Sequence, residues 1–124
     1  MTKTVSLNTW QRIWLNSFVG SQNGTASAMR KWIRIINAVE ISDTLASQIG
    51  LRGTPDGIAW DNKKAAENEP FEIMLDNNDY VLLVEALRKA INQVEFQATN
   101  AKNVISMFEA FGLGAELEDT APTA

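Results

Sequence analysis

A mainly α fold is predicted, a helical bundle with one long C-terminal helix and a small two-stranded β-hairpin. Three observations predict it. Apolar residues recur at three- and four-residue spacing over 8–19, 25–39 and 80–108. A residue able to cap a helix stands at the start of each stretch. Only 58–60 and 71–75 have strand character. With 124 residues, 45% of them apolar and 21% charged, the chain suits one domain with a core of its own. That domain is expected over 1–114, with 115–124 as a disordered acidic tail.

The first helix is expected over 8–19, capped by Asn8 or Ser6. Trp10, Ile13, Trp14 and Phe18 form its apolar stripe, and Leu15 and Val19 widen it. Gly20-Ser21-Gln22-Asn23-Gly24 breaks it. Thr25 or Ser27 caps a second helix to about Val39, with Met29, Trp32, Ile33 and Ile36 on one face and Arg30, Lys31, Arg34 and Asn37 on another. Ser42 or Asp43 opens a short third helix that turns Leu45 and Ile49 inward and stops at Gly50.

Thr54-Pro55-Asp56-Gly57 reads as a β-turn, because proline presets φ at its second position. The strand at 58–60 is expected to pair with 71–75, with Asp61 to Pro70 as a surface loop. Asp76 then opens the last helix, and Asp79 suits the positive end of its dipole. Tyr80, Val84, Leu87, Ile91, Val94, Ala98, Ala101, Ile105 and Phe108 follow a strict 4-3 alternation. An unbroken helix over 77–111 would be about 50 Å long. Leu83, Ala90, Val104 and Phe111 widen this seam on one shoulder, which suits burial in a bundle, while Leu82, Phe96 and Met107 are expected to point outward. The alternative is a separate final helix capped by Thr99 or Asn100. Gly112-Leu113-Gly114 ends the helical part.

Composition narrows the chemistry. There is no cysteine and no histidine, which removes thiolate nucleophiles, sulfur or imidazole metal sites and the commonest general base. The expected protein is therefore not an enzyme, and neither a cofactor nor a metal is expected. Asp56, Asp61, Glu67 and Glu69 lack the spacing of a calcium loop and read as a solvated segment. No stretch has the ~18 apolar residues that span a bilayer. Lys3 is not followed by an uninterrupted apolar segment, and the acid-poor start carries Trp10, Trp14 and Trp32, so neither a secretory signal nor a transit peptide is expected. No membrane partner is expected, and a cytoplasmic setting is.

Charge is divided along the chain. Residues 1–39 carry Lys3, Arg12, Arg30, Lys31 and Arg34 and no acid, whereas 40–124 carry fifteen acids against six bases; +5 and −9 give the net −4. Two binding surfaces follow as candidates. One is a basic face of Arg12, Arg30, Lys31 and Arg34, suited to an acidic protein surface or to phosphates, with tryptophans near enough to stack on bases. The other is the seam Tyr80, Val84, Leu87, Ile91, Val94, Ile105 and Phe108, suited to self-association as a homodimer or to a partner helix. A non-enzymatic protein–protein interaction module is the leading expectation: a regulator, an inhibitor or an assembly subunit. A helical nucleic-acid-binding subunit using the basic N-terminal half is the alternative, opposed by a pI near 4.8.

The order of Trp10–Val19, a glycine-containing break, Trp32–Val39, Asp-Gly-Ile-Ala-Trp at 56–60, Phe71–Leu75 and a capped helix resembles small bacteriophage-encoded accessory proteins of unknown function. The resemblance implies a role in the host cytoplasm, blocking or regulating a host or phage complex. It carries over no functional residue.

Overall fold

Val5 and Leu7 are buried on one face of an N-terminal strand, β1 (Thr2–Leu7), while Thr4 and Ser6 face water. The same alternation places Phe71, Ile73 and Leu75 inward on a second long strand (Phe71–Asp76). The two pair antiparallel, with Val5 opposite Ile73 and Leu7 opposite Phe71, so one face of the ribbon is apolar except at its end, where Lys3 stands opposite Leu75. The computed structural model describes residues 2–55 and 57–117.

Asn8, directly after β1, caps α1 (Thr9–Gly20). Its Oδ1 accepts from the Gln11 backbone N–H at 2.9 Å, and Gln11 Oε1 accepts from the Asn8 N–H at 2.9 Å. Asn8 Nδ2 also donates to Asn103 Oδ1 at 2.8 Å. Asn8→Ala should therefore lower the unfolding free energy by about 0.5–2 kcal/mol in urea titration.

Thr25 caps α2 (Ala26–Val39), and Ser42 caps α3 (Asp43–Gln48). At the end of α3, Gly50 takes φ +66°, letting the Leu51 N–H reach back to the Ala46 carbonyl at 2.9 Å. β2 (Arg52–Thr54) and β3 (Gly57–Ala59) form a hairpin. Asp61 caps α4 (Asn62–Asn68) by accepting from the backbone N–H groups of Lys63 and Lys64. The strand Phe71–Asp76 is β4. Asp76 then caps α5 (Asn77–Ala90). A 3₁₀ turn at Ala98–Asn100 leads into α6 (Ala101–Ala110), and another covers Gly114–Leu117.

α2, α5 and α6 pack against the ribbon β1–β4, and α1 lies on α2 and α6. Leu15, Val19, Ile35, Ile73, Leu83, Leu87, Met107 and Phe108 are fully enclosed between them. A smaller cluster of Ile49, Ala65 and Phe71 lies under α3 and α4.

The chain is mainly α, but the predicted bundle with one long C-terminal helix and one hairpin is not what it forms. The longest helical run is central: Ala26–Val39 followed by Asp43–Gln48. The segment expected as a single helix over 77–111 is two helices joined by 91–100. Beyond Ala90 a rod would leave the core with only Ile91, Val94 and Phe96 to bury among Asn92, Gln93, Glu95 and Gln97. Reversing direction instead returns Met107, Phe108, Phe111 and Leu113 to the core.

The strand pairing also differs. β4 pairs with β1, not with 58–60, because β1 offers a matched six-residue partner with Val5 and Leu7 on the buried face. Residues 58–59 pair locally with 52–53. Residues 62–68, expected as loop, are helical because the Asp61 carboxylate satisfies the first free N–H groups. Of the expected tail, 115–117 belong to the 3₁₀ turn and Glu116 is tied to Arg88 at 2.8 Å, while 118–124 lie outside the described residues.

Candidate binding groove

Two of the four cations expected as a basic face, Arg12 and Arg34, are engaged by acceptors of the same chain. Arg12, on α1, donates from Nε to the Val39 carbonyl at 2.9 Å and from Nη2 to the Glu40 carbonyl at 3.1 Å. Its guanidinium lies 5.8 Å from the centre of the Phe71 ring, and burial lowers its pKa. It closes the carbonyl end of α2, where a cation is favoured. Arg34 is bound to Asp79 by two parallel hydrogen bonds of 3.0 and 2.9 Å, which with the charge attraction raise its pKa. The Asp79 side chain is nearly enclosed, so this pair holds α2 to the start of α5. Arg30 and Lys31 alone of the four are exposed without an ion-pair partner among the described residues.

The seam is divided in the same way. Leu87 and Phe108 are in the core. Tyr80, Val84 and Ile91 are half-buried against it, with Tyr80 stacked 6.1 Å from Phe111. Val94 and Ile105 face water. The enclosed face of α5 is Asp79, Leu83, Leu87 and Ala90, a rotation that brings the expected shoulder to the centre. Met107, expected outward, is fully buried. Phe96 is half-buried, 5.3 Å from Trp14 and 6.3 Å from Phe108. Five of the seven seam residues are thus covered at least in part within one copy of the chain, and Val94 and Ile105 are not.

Among the described residues no group of three or more histidine, cysteine, aspartate or glutamate side chains converges, and Asp56 lies outside them. Among those residues no helix is long and apolar enough to cross a membrane.

What the fold does assemble is an aromatic groove. On α1 the residues buried completely are Thr9, Gln11, Leu15 and Val19. The neighbouring stripe of Trp10, Trp14 and Phe18 stays half-exposed, packed on its inner side by Phe96. Trp10 and Trp14 line one recess together with Ile58 of β3, Trp60, Gln97 and Asn100. This recess has a volume of about 470 Å³. A second recess of about 290 Å³ continues past Trp10 and Trp60, which line both, toward Asn62, Glu69 and Asn103. Trp60 packs against Ile49, Ala65 and Phe71, and the Asp61 N–H anchors the next residue to the Ile49 carbonyl at 2.9 Å.

Polar contacts set the frame of the groove. Gln11 Nε2 donates to the Asn103 carbonyl at 2.8 Å and to Ser106 Oγ at 2.7 Å, pinning α6 to α1. Glu69 Oε2 accepts from the Thr9 N–H at 2.8 Å and from its hydroxyl at 2.7 Å, placing a carboxylate at the positive end of α1. The lining carries this one carboxylate and no cation.

Trp60, Glu69 and Gln11 are absent from the expected site residues. One sequence signal did point here: an apolar arc on α1 running from Trp10 through Leu15 to Val19 is too broad for one neighbour to cover. Trp32, offered with Trp10 and Trp14 as a stacking platform, is in the core. No family model, no curated protein and no solved structure matches this chain.

Proposed function

We propose that the chain is a non-enzymatic protein-binding module, a regulator, inhibitor or assembly subunit working in the cytoplasm, and that its partner docks in the groove between Trp10 and Trp60. One observation carries this reading. Trp32 is enclosed, yet Trp10, Trp14 and Trp60 are left half-exposed around one concavity. Large rigid indoles at the centre of a concave patch contribute more binding energy than other side chains, at little entropic cost. The absence of histidine and cysteine supports binding over catalysis.

A nucleic-acid role has less support. Arg12 and Arg34 are engaged inside the fold, Arg30 and Lys31 project from α2, and the groove itself holds a carboxylate. Of the expected basic face only Arg30 and Lys31 lack an internal partner among the described residues, and two cations on one helix release few counterions.

Panning a random peptide library against the folded protein tests the proposal. Enriched sequences are expected to lose binding to an Ile58→Asn variant. No enrichment, or enrichment that Ile58→Asn leaves unchanged, would remove the groove as the protein-binding site.

A further inference from the structure

Resting on that protein-binding reading, we infer that the groove takes an extended, proline-rich segment with one basic residue, its prolines against Trp10, Trp14 and Trp60 and its cation at Glu69. The shape argues for a chain. The two recesses meet over Trp10 and Trp60, so one occupant reaching from Gln97 to Glu69 has to be an extended strand of residues, not a compact ring.

The wall chemistry selects the kind of chain. Indole faces pack well on pyrrolidine rings. A polyproline helix makes no internal hydrogen bonds and presents carbonyl acceptors without demanding acceptors in return. Indole N–H and carboxamide N–H groups are the donors such a segment needs, and Trp10, Trp60, Asn62, Gln97 and Asn100 supply them around the rim. Its conformation is already restricted when free, so little entropy is lost on docking.

Charge gives the segment a direction. Thr9 occupies Glu69 Oε2, and among the described residues no protein donor reaches Oε1. With no cation in the lining, a lysine or arginine of the occupant has an acceptor at that end, and an acidic residue meets repulsion.

Titration of the full chain with defined peptides, followed by tryptophan fluorescence and calorimetry, decides the matter. The probes are a short oligoproline peptide ending in arginine, the same peptide ending in glutamate, a glycine–serine peptide of equal length ending in arginine, and oligothymidylate. The oligoproline–arginine peptide is expected to bind saturably. The glutamate ending should weaken it about two- to fivefold or more. Ile58→Asn should weaken it about tenfold. Ile58 is 53% exposed, so that variant should keep the wild-type melting curve. Glu69→Gln retains an acceptor for Thr9 and should abolish the discrimination between arginine and glutamate endings.

Equal binding of the glycine–serine peptide, equal binding of both endings by the wild type, an unaffected Ile58→Asn variant or preferential binding of oligothymidylate would each overturn the inference. So would failure of every peptide to bind. If library panning meanwhile yields Ile58-dependent sequences without proline, the protein-binding reading stands and the proline inference alone falls.

Discussion

Met107→Ala is expected to cost about 2–5 kcal/mol of unfolding free energy, whereas Ile105→Ala should change it by no more than about 0.5 kcal/mol. The two residues lie on one helical turn of α6, and a continuous helix continuing the 4-3 alternation of α5 would give the opposite order. In the folded chain Met107 has no exposed surface and Ile105 is 49% exposed. Removing the thioether chain of Met107 leaves a void among α1, α6 and β1, and a packed core relaxes only partly around such a void. Truncating Ile105 removes atoms already in water. Urea titration of both variants measures the difference directly. A larger loss at Ile105 than at Met107 would rule out the reversal at 91–100 and restore the rod.

Phe108→Ala should destabilise still more, by about 3–5 kcal/mol. Phe108 is enclosed, 6.3 Å from Phe96 in an edge-on arrangement and 6.5 Å from Trp14. These contacts hold the connecting segment 91–97 onto α1. The loss should therefore be accompanied by faster amide exchange in 91–100 than in α2. A double-mutant cycle between Phe96→Ala and Phe108→Ala should return a coupling of about 0.5–1.5 kcal/mol. Additive losses would mean that Phe96 and Phe108 are not in contact and that another feature positions the connection. Phe96 also backs Trp10 and Trp14, so the same contacts that fold α6 back shape one wall of the groove.

One physical reason explains why the fold engages residues of both expected surfaces internally. A cation is available to a partner only if no acceptor within the protein takes it, and those acceptors lie far along the chain. Arg12 meets carbonyls 27 and 28 residues away, and Arg34 meets a carboxylate 45 residues away. Helical spacing places Arg30, Lys31 and Arg34 together on α2 correctly, but it carries no information about Asp79. The seam has the same weakness. Apolar periodicity identifies which residues want cover, not whether the cover comes from a second copy, a partner or the same chain folded back.

By itself the sequence determined where helices begin and several of the places where they stop. Asn8, Thr25, Ser42 and Asp76 cap the helices as expected, and Gly50 and Gly112 adopt the positive φ that ends them. It also determined that 71–75 is extended with Phe71, Ile73 and Leu75 on one side. Those decisions are made over a few residues, by groups whose hydrogen bonds close locally. Tertiary structure alone decided that β4 pairs with β1, that 91–100 turns back, and that Trp60 and Glu69 meet Trp10 across a groove. In each of these cases the contact that settles the outcome joins residues some 50 to 100 positions apart, as between Gln11 and Ser106, 95 residues apart. No local pattern records which of several apolar or polar surfaces will close such a distance, because the choice depends on how the whole core fills.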